Sequence, residues 1–455
     1  MFDAQCAALA AETERLVALY GVPGVAVGVI NGDDEYVAGF GVTNREHPLP
    51  VDADTLFQIG STTKTVTGTL VMRLVEQGLL DLDVPVRHYL PTLRLADEEV
   101  AARVTLRHLL SHTGGWVGDF FDDTGRGDDA LARMVDRLHE LPQLTPLGTV
   151  WSYNNAGFYL AGRILEVITG QAYEALAHDL ILAPLGMTRS FFWADEMITH
   201  RVAAGHQHDP HDLMAPPTVA RPWGLVRSAH PVGGIVSSVR DQVRYARFHL
   251  GDGSAADGTR LLTTESIRAM QTPFVQGDLG GLFGLTWFIR DVQGHRIVRH
   301  GGATKGQLAA FLMIPAAGFA LTVLTNSSRG AELYRDLTAW AFRTFLGIET
   351  PLPVPETRTA AEVRPFVGRY EGRLSDTIIA WAEDGLRLQV IPKGGFPTAD
   401  SPARPAGPAL RAAFCGPDQI VVLNDPLKDT RAEFLRDDAG EIVWLRLGGR
   451  VLRRV

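Results

Sequence analysis

A serine and a lysine three residues apart are the first residues that could do chemistry: Gly60-Ser61-Thr62-Thr63-Lys64 stands directly before an apolar periodic segment. If that segment is a helix, Ser61 lies at its first turn, and one turn of helix carries the Lys64 amine to the Ser61 hydroxyl. A serine hydroxyl is a weak nucleophile at neutral pH and needs a neighbouring base. Lysine serves only when desolvation or positive potential lowers its pKa, and a helix N-terminus supplies part of that potential. Alone, S-x-x-K arises by chance about once in a chain of this size, and a capping serine with a surface lysine explains it as well.

Two further motifs offer matching groups. Trp151-Ser152-Tyr153-Asn154-Asn155-Ala156-Gly157 leads into a second periodic segment and presents Tyr153 and Asn155 from one short turn. A phenol beside an ammonium can relay a proton between nucleophile and leaving group; a buried tyrosine with a capping asparagine is the plainer alternative. Arg299-His300-Gly301-Gly302-Ala303 follows a strand expected at 297–299. Paired glycines let a backbone approach a ligand closely, which would turn His300 toward the same pocket; a plain turn with a surface imidazole is the alternative.

Elements of both kinds are needed to bring these groups together. Residues 25–30 are a β-branched run that meets Asn31-Gly32 and continues as 35–42, a strand, a tight turn and a strand. Between Thr62 and Leu80 the apolar positions Val66, Leu70, Val71, Leu74 and Val75 recur at helical spacing and end at Gly78, predicting a helix buried along one face. Residues 84 to about 200 read as mostly helical, 156–169 and 173–185 most clearly. The runs 285–290, 297–299, 308–314 and 320–326 alternate with turn residues as in an antiparallel sheet. Pro351, Pro353 and Pro355 predict a stiff extended connector. Beyond it, 368–372, 377–382, 386–391, 419–423, 432–436, 442–447 and 451–453 read as short strands of a small β-barrel or sandwich.

Composition narrows the function classes. The chain has 455 residues, 45% hydrophobic and 21% charged, the profile of an ordinary globular protein. Length alone suggests roughly three domains. Ser61, Tyr153 and His300 must meet, however, so 1–349 reads as one two-lobed unit, 350–363 as a linker and 364–455 as a separate barrel. A net charge of −9 without a long basic run argues against nucleic acid. The sequence has no stretch of 18 apolar residues, so no membrane insertion is expected. Asp3, Glu12, Glu14 and Arg15 suit an amphipathic first helix and not a signal peptide, which makes the cytoplasm the expected location unless a leader was removed. Cys6 and Cys415 read as incidental. His206, His208 and His211 sit in a proline-containing loop without matched acidic or cysteine ligands, so no metal and no cofactor is expected.

In their order along the chain, Ser61-x-x-Lys64, Tyr153-x-Asn155 and His300-Gly301-Gly302 resemble the serine β-lactamase and penicillin-binding-protein superfamily. The pattern is most similar to the class C branch, with its family VIII carboxylesterases, D-stereospecific aminopeptidases and amidases. The resemblance spans about residues 10–348 and extends to Ser111-His112-Thr113-Gly114-Gly115, Pro184-Leu185-Gly186-Met187 and Pro231-Val232-Gly233-Gly234. It implies an α+β fold, an antiparallel sheet flanked by helices plus a helical lobe. By resemblance Ser61 is the acylated nucleophile, Lys64 and Tyr153 are the coupled base and acid, and Asn155 is the amide that holds a substrate carbonyl. The backbone N–H groups of Ser61 and Ala303, beside Gly301 and Gly302, would then form the oxyanion hole, with roughly 3–4 kcal/mol per donor at stake.

The sequence departs from the β-lactamase pattern at His300, where many members carry Lys-Thr-Gly. A neutral imidazole holds a β-lactam carboxylate weakly, so weak β-lactamase activity at most is implied, and the His-x-Gly form resembles esterase, amidase and peptidase members; a His300 that only supports its loop is the alternative. Phe366-Val367-Gly368-Arg369-Tyr370 resembles the start of the lipocalin-like appendages of several members, which shape the cleft or set oligomer contacts. Asp119, Asp122, Asp123, Asp128 and Asp129, with Gly125 and Gly127, form an acidic flexible stretch. In relatives such loops border the site, where this one would favour a cationic substrate; a solvated loop is the plainer alternative. Trp116, Trp151, Trp223 and Trp287 are wall candidates, or core.

The expected function is a serine hydrolase that cleaves a small-molecule or peptide ester or amide through a Ser61 acyl-enzyme. One alternative is a penicillin-binding-protein-type thioesterase or peptide cyclase that passes the acyl group to an amine. An alternative of another class is a non-catalytic scaffold or sensor, against which the intact Ser61, Lys64 and Tyr153 speak. A homo-oligomer is left open.

Overall fold

The computed structural model describes residues 2–383 and 385–455. In the first helix, Phe2–Tyr20, the residues Cys6, Leu9, Thr13 and Leu16 recur every three or four positions and are buried, a stripe that packs on the helix Gly330–Ala341. Both helices cover one face of an antiparallel sheet. Its order from one edge is Asp34–Gly41, Gly24–Asn31, Phe319–Thr325, Gln307–Ile314, His295–Thr304 and Phe288–Val292, followed by two short strands. Val25, Val27 and Val29 join Leu312, Leu321 and Val323 under the two helices. Ala26 and Ile30 face the other layer with Val239 and Val243 of the helix Val239–Leu250. The strand Gly24–Asn31 is thus buried on both faces, which explains its continuous apolar run.

The helix that follows Ser61 spans Thr63–Glu76 and is buried all round through Met72, where its apolar spacing predicts one buried face. The difference lies in its threonines. Thr65 donates to Thr62 O, Thr67 to Pro231 O, and Thr69 to Thr65 O, each within 2.8 Å. With their hydroxyls satisfied, residues that read as polar sit in the core without the cost of an unpaired group. The helix ends at Glu76, and Gly78 takes the left-handed conformation.

The C-terminal part is a closed eight-stranded barrel, its first strand Gly368–Glu371 pairing with its last, Arg450–Arg454, through Tyr370↔Arg454. Tyr370, Leu388, Phe414, Ile420, Phe434 and Leu445 fill its interior. One strand, Leu410–Phe414, was not legible in the sequence. Its inward positions are Leu410, Ala412 and Phe414, and its two alanines carry little strand preference. Among the described residues no helix is long and apolar enough to cross a membrane.

Candidate active site

Ser61 lies in a 3-10 turn, Gly60–Thr62, just ahead of the buried helix. Lys64 Nζ is 2.9 Å from Ser61 Oγ and donates to Val232 O at 2.8 Å. Its remaining surroundings are aromatic, with Tyr153 and Phe158 ring centres 5.0 and 5.5 Å away. Burial holds the Lys64 ammonium far below the usual lysine range, and the Arg450 charge adds to this. Burial also pushes the Tyr153 phenol well up, against the partial relief given by Arg450. The Tyr153 hydroxyl itself is buried without a hydrogen-bond partner.

The strand His295–Thr304 runs past Ser61 without a break, so His300-Gly301-Gly302 is strand and not the turn its glycines suggest. Gly302 is there for close approach: a Cβ on it would lie 1.8 Å from Ile59 O and 3.1 Å from Ser61 N. On the opposite side, a Cβ on Gly60 would meet Ala303 N at 2.7 Å. The two backbones therefore lie against each other at Ser61 and Ala303, the pair of N–H groups expected of an oxyanion hole. His300 is buried, its Nδ1 2.6 Å from Gly301 O, which puts the proton on Nδ1 and leaves Nε2 bare and unpartnered. Burial and the Lys64 charge lower its pKa to about 3, so the imidazole is neutral.

The barrel completes the site. Leu447 and Arg450 pair across a two-residue turn in which Gly448 and Gly449 both have positive φ, the conformation a tight hairpin requires. This tip enters the cleft: Gly449 O accepts the Tyr153 backbone N–H at 2.8 Å, and Val451 N–H donates to Ser152 Oγ at 3.2 Å. The Arg450 guanidinium lies 4.6 Å from the Tyr153 ring centre and donates through Nε to Asp119 Oδ2 at 3.2 Å. Asp119 Oδ1 in turn accepts from Asn155 Nδ2 at 2.6 Å. Between the two parts of the chain, next to Tyr153 and Arg450, lies a cavity of about 530 Å³ lined also by Phe120, Leu141, Leu374 and Lys393.

Comparison with known proteins identifies the family. Residues 9–344 match the Beta-lactamase family. The chain is a member of the β-lactamase family. Penicillin-binding protein 4 of Amycolatopsis lactamdurans is 38% identical over 360 residues, 77% of this chain and 93% of the relative. Unguisins hydrolase ungD of Aspergillus violaceofuscus (strain CBS 115571) is 26% identical over 434 residues, 89% of this chain and 73% of the relative. The crystal structure of SurE matches with a TM-score of 0.78 and 26% identity over the whole of both chains, the barrel included. With relatives named as penicillin-binding protein and hydrolase, this β-lactamase family member is a serine hydrolase.

Within this β-lactamase-type site the structure gathers Ser61, Lys64, Tyr153, His300, Gly302 and Ala303. Asn155 is buried, with one amide hydrogen bond already spent on Asp119, and its Oδ1 is unpartnered. The acidic stretch differs from the expected flexible, free negative patch. Asp119 is buried between Asn155 and Arg450, Asp122 pairs with Arg137, Asp128 with Arg227, and Asp129 with Arg133. Four of its five carboxylates thus have an arginine partner, three of these arginines from outside the stretch and Arg133 four residues on from Asp129, which weakens the field that would favour a cationic substrate. Trp116, Trp151 and Trp287 are core, and only Trp223 is partly exposed. His206 Nδ1 donates to Asn326 O, and His208 Nε2 lies 3.1 Å from Ser327 Oγ, so both histidines tie down a loop. Arg450, Asp119 and His112 were not assigned from sequence. Gly448-Gly449 between two alternating runs marks a hairpin, but nothing in the linear pattern says where its tip lies.

Proposed function

We propose that the chain cleaves an ester or amide of an amino-acid-derived substrate through a Ser61 acyl-enzyme. The observation that carries this is the Lys64 amine, buried among aromatic rings 2.9 Å from Ser61 Oγ with its pKa depressed. Burial drives the two titratable partners apart: it favours the neutral amine on Lys64, which can take a proton, and the protonated phenol on Tyr153, which can give one. Lys64 accepts the Ser61 proton as Oγ attacks the carbonyl carbon. The oxyanion forms against the Ser61 and Ala303 N–H groups. The leaving heteroatom departs with the Tyr153 proton, and the Lys64 proton restores the phenol. Water repeats the sequence to free the acid.

A second reading, transfer to an amine in place of water, is favoured by the barrel tip. Arg450 is the cation that a carboxylate on a leaving or attacking group meets beside Tyr153, a task for which His300 is neutral. The cavity between the two parts gives such a group room. SurE, the matching fold, has also been crystallised with D-Leu. Division of the chain into a 1–349 catalytic unit, a 350–363 linker and a 364–455 barrel belongs to this proposal.

The test is intact mass after incubation with a fluorophosphonate. One adduct on the wild type, absent from Ser61→Ala and slowed at least about 100-fold in Lys64→Ala, is expected; a wild type without an adduct refutes the proposal. A peptidyl thioester then separates the two readings by yielding free acid or macrolactam.

A further inference from the structure

His112 lies behind Tyr153 and combines features that a simple core histidine does not need. Its φ is 57°, a left-handed conformation uncommon outside glycine, which histidine, like asparagine, takes more often than most residues. Its Nδ1 accepts the Asn154 backbone N–H at 3.0 Å, which places the ring proton on Nε2. Its carbonyl accepts the Ser152 backbone N–H at 3.0 Å. The ring lies 4.4 Å from the Tyr153 ring at 36° and also touches Phe158 and Phe283. The Nε2–H is buried and unpartnered, a cost seldom kept in a core without a compensating role. The residues on both sides of Tyr153 are therefore bonded to His112, and the phenol ring rests on its imidazole.

We propose that His112 is a positioning residue for Tyr153, holding the phenol where its proton reaches the leaving group. This rests on the acyl-enzyme reading of Ser61. The hold works only with a neutral imidazole, because protonation of Nδ1 would replace an acceptor by a donor facing the Asn154 N–H. Burial, with the Arg450 cation adding to it, keeps the ring neutral. The step it supports is the collapse of the tetrahedral intermediate. The bond from carbon to the leaving heteroatom breaks, the electron pair stays with that atom, and the Tyr153 proton moves onto it, leaving a phenolate that Lys64 reprotonates.

Acylation by esters whose leaving groups need no proton should therefore not depend on His112. The experiment compares butyrate esters of p-nitrophenol, phenol and ethanol, with wild type, His112→Phe and His112→Asn. Phenylalanine keeps the ring but loses the Nδ1 acceptor; asparagine tolerates the left-handed backbone and supplies an amide oxygen in its place. For His112→Phe we expect a loss in kcat/KM, which reports acylation and not the deacylation common to all three esters, on the order of 100-fold for the ethyl ester and less than about 3-fold for the p-nitrophenyl ester, giving a steeper dependence on leaving-group pKa. His112→Asn should recover most of the ethyl ester rate. Fluorophosphonate labelling, in which fluoride leaves as the anion, should match the wild type in both variants and shows that the site is folded. Equal losses on all three esters, or an unchanged ethyl ester rate in His112→Phe, overturn the proposal. A wild type that is not labelled overturns the acyl-enzyme reading instead.

Discussion

Removing the charge of Arg450 should shift the pH profile of acylation in a direction that the geometry dictates. Lys64 Nζ and the Arg450 guanidinium lie 5.0 and 4.6 Å from the centre of the same Tyr153 ring. They are thus no more than about 10 Å apart, and at an effective dielectric of about 20–40 two unit charges at ~10 Å repel by roughly 0.8–1.7 kcal/mol, or about 0.6–1.2 pH units. The smaller value is the better guide, because 43% of the Arg450 side chain is exposed and solvent screens it. The cation disfavours the Lys64 ammonium, so Arg450→Met raises the Lys64 pKa. The change also leaves Asp119 unpaired, and its charge acts in the same direction. With kcat/KM for p-nitrophenyl butyrate followed from pH 5 to 10, the acidic limb of Arg450→Met should move up by about half a unit or more, with activity regained at alkaline pH. Adding Asp119→Asn should take part of that shift back. A limb that stays in place or moves down, or a loss uniform across pH, refutes the electrostatic reasoning.

Two other perturbations test the scaffold. Gly302→Ala puts a Cβ 1.8 Å from Ile59 O, backbone against backbone, and should slow Ser61 labelling by about 100-fold or more as the Ala303 and Ser61 N–H groups separate. In Gly301→Ala the new Cβ meets only Ala309 O at 3.3 Å, so labelling should change little; equal behaviour of the two variants would argue against the close approach. Glu174 accepts from His230 Nδ1 at 2.6 Å and from Arg227 Nε at 3.1 Å, and these partners lower its pKa to about 2 despite burial. Its folded pKa is below the unfolded value, so its stabilisation is fully present above about pH 4.3 and disappears as the pH falls through the folded value. Denaturant unfolding should show Glu174→Gln weaker by about 3–5 kcal/mol at pH 7, with the gap narrowing toward pH 2; a gap independent of pH would contradict the pairing.

The sequence revealed most where the physics is local. The strands Gly24–Asn31 and Gln307–Ile314 and the helix Ala156–Thr169 follow directly from runs and periodicity. Ser61, Lys64 and Tyr153 could be singled out because each sits at the edge of such an element. The glycines at 301 and 302 were legible as positions of close approach, which Gly302 makes to a neighbouring backbone, but the strand expected to end at residue 299 continues through them to Thr304. Threonine misled in Thr63–Glu76, because hydroxyls that accept a core position do so through partners as remote as Pro231. The acidic stretch looked free because Arg137, Arg227 and Arg450, which neutralise it, come from other elements. Arg450 itself was out of reach, since its role depends on how a barrel docks and not on any spacing.

That docking also has a consequence for the newborn protein. Asp119 and Arg450 are separated by 331 positions, and a ribosome adding about 5–20 residues per second needs roughly 20–60 s to travel that distance. For that interval Ser61 and Lys64 already exist in the emerging chain, while Tyr153 has neither the Gly449 carbonyl for its backbone N–H nor the guanidinium over its ring. Until the Gly448-Gly449 tip arrives, a nascent chain carries the nucleophile without the last contacts around Tyr153.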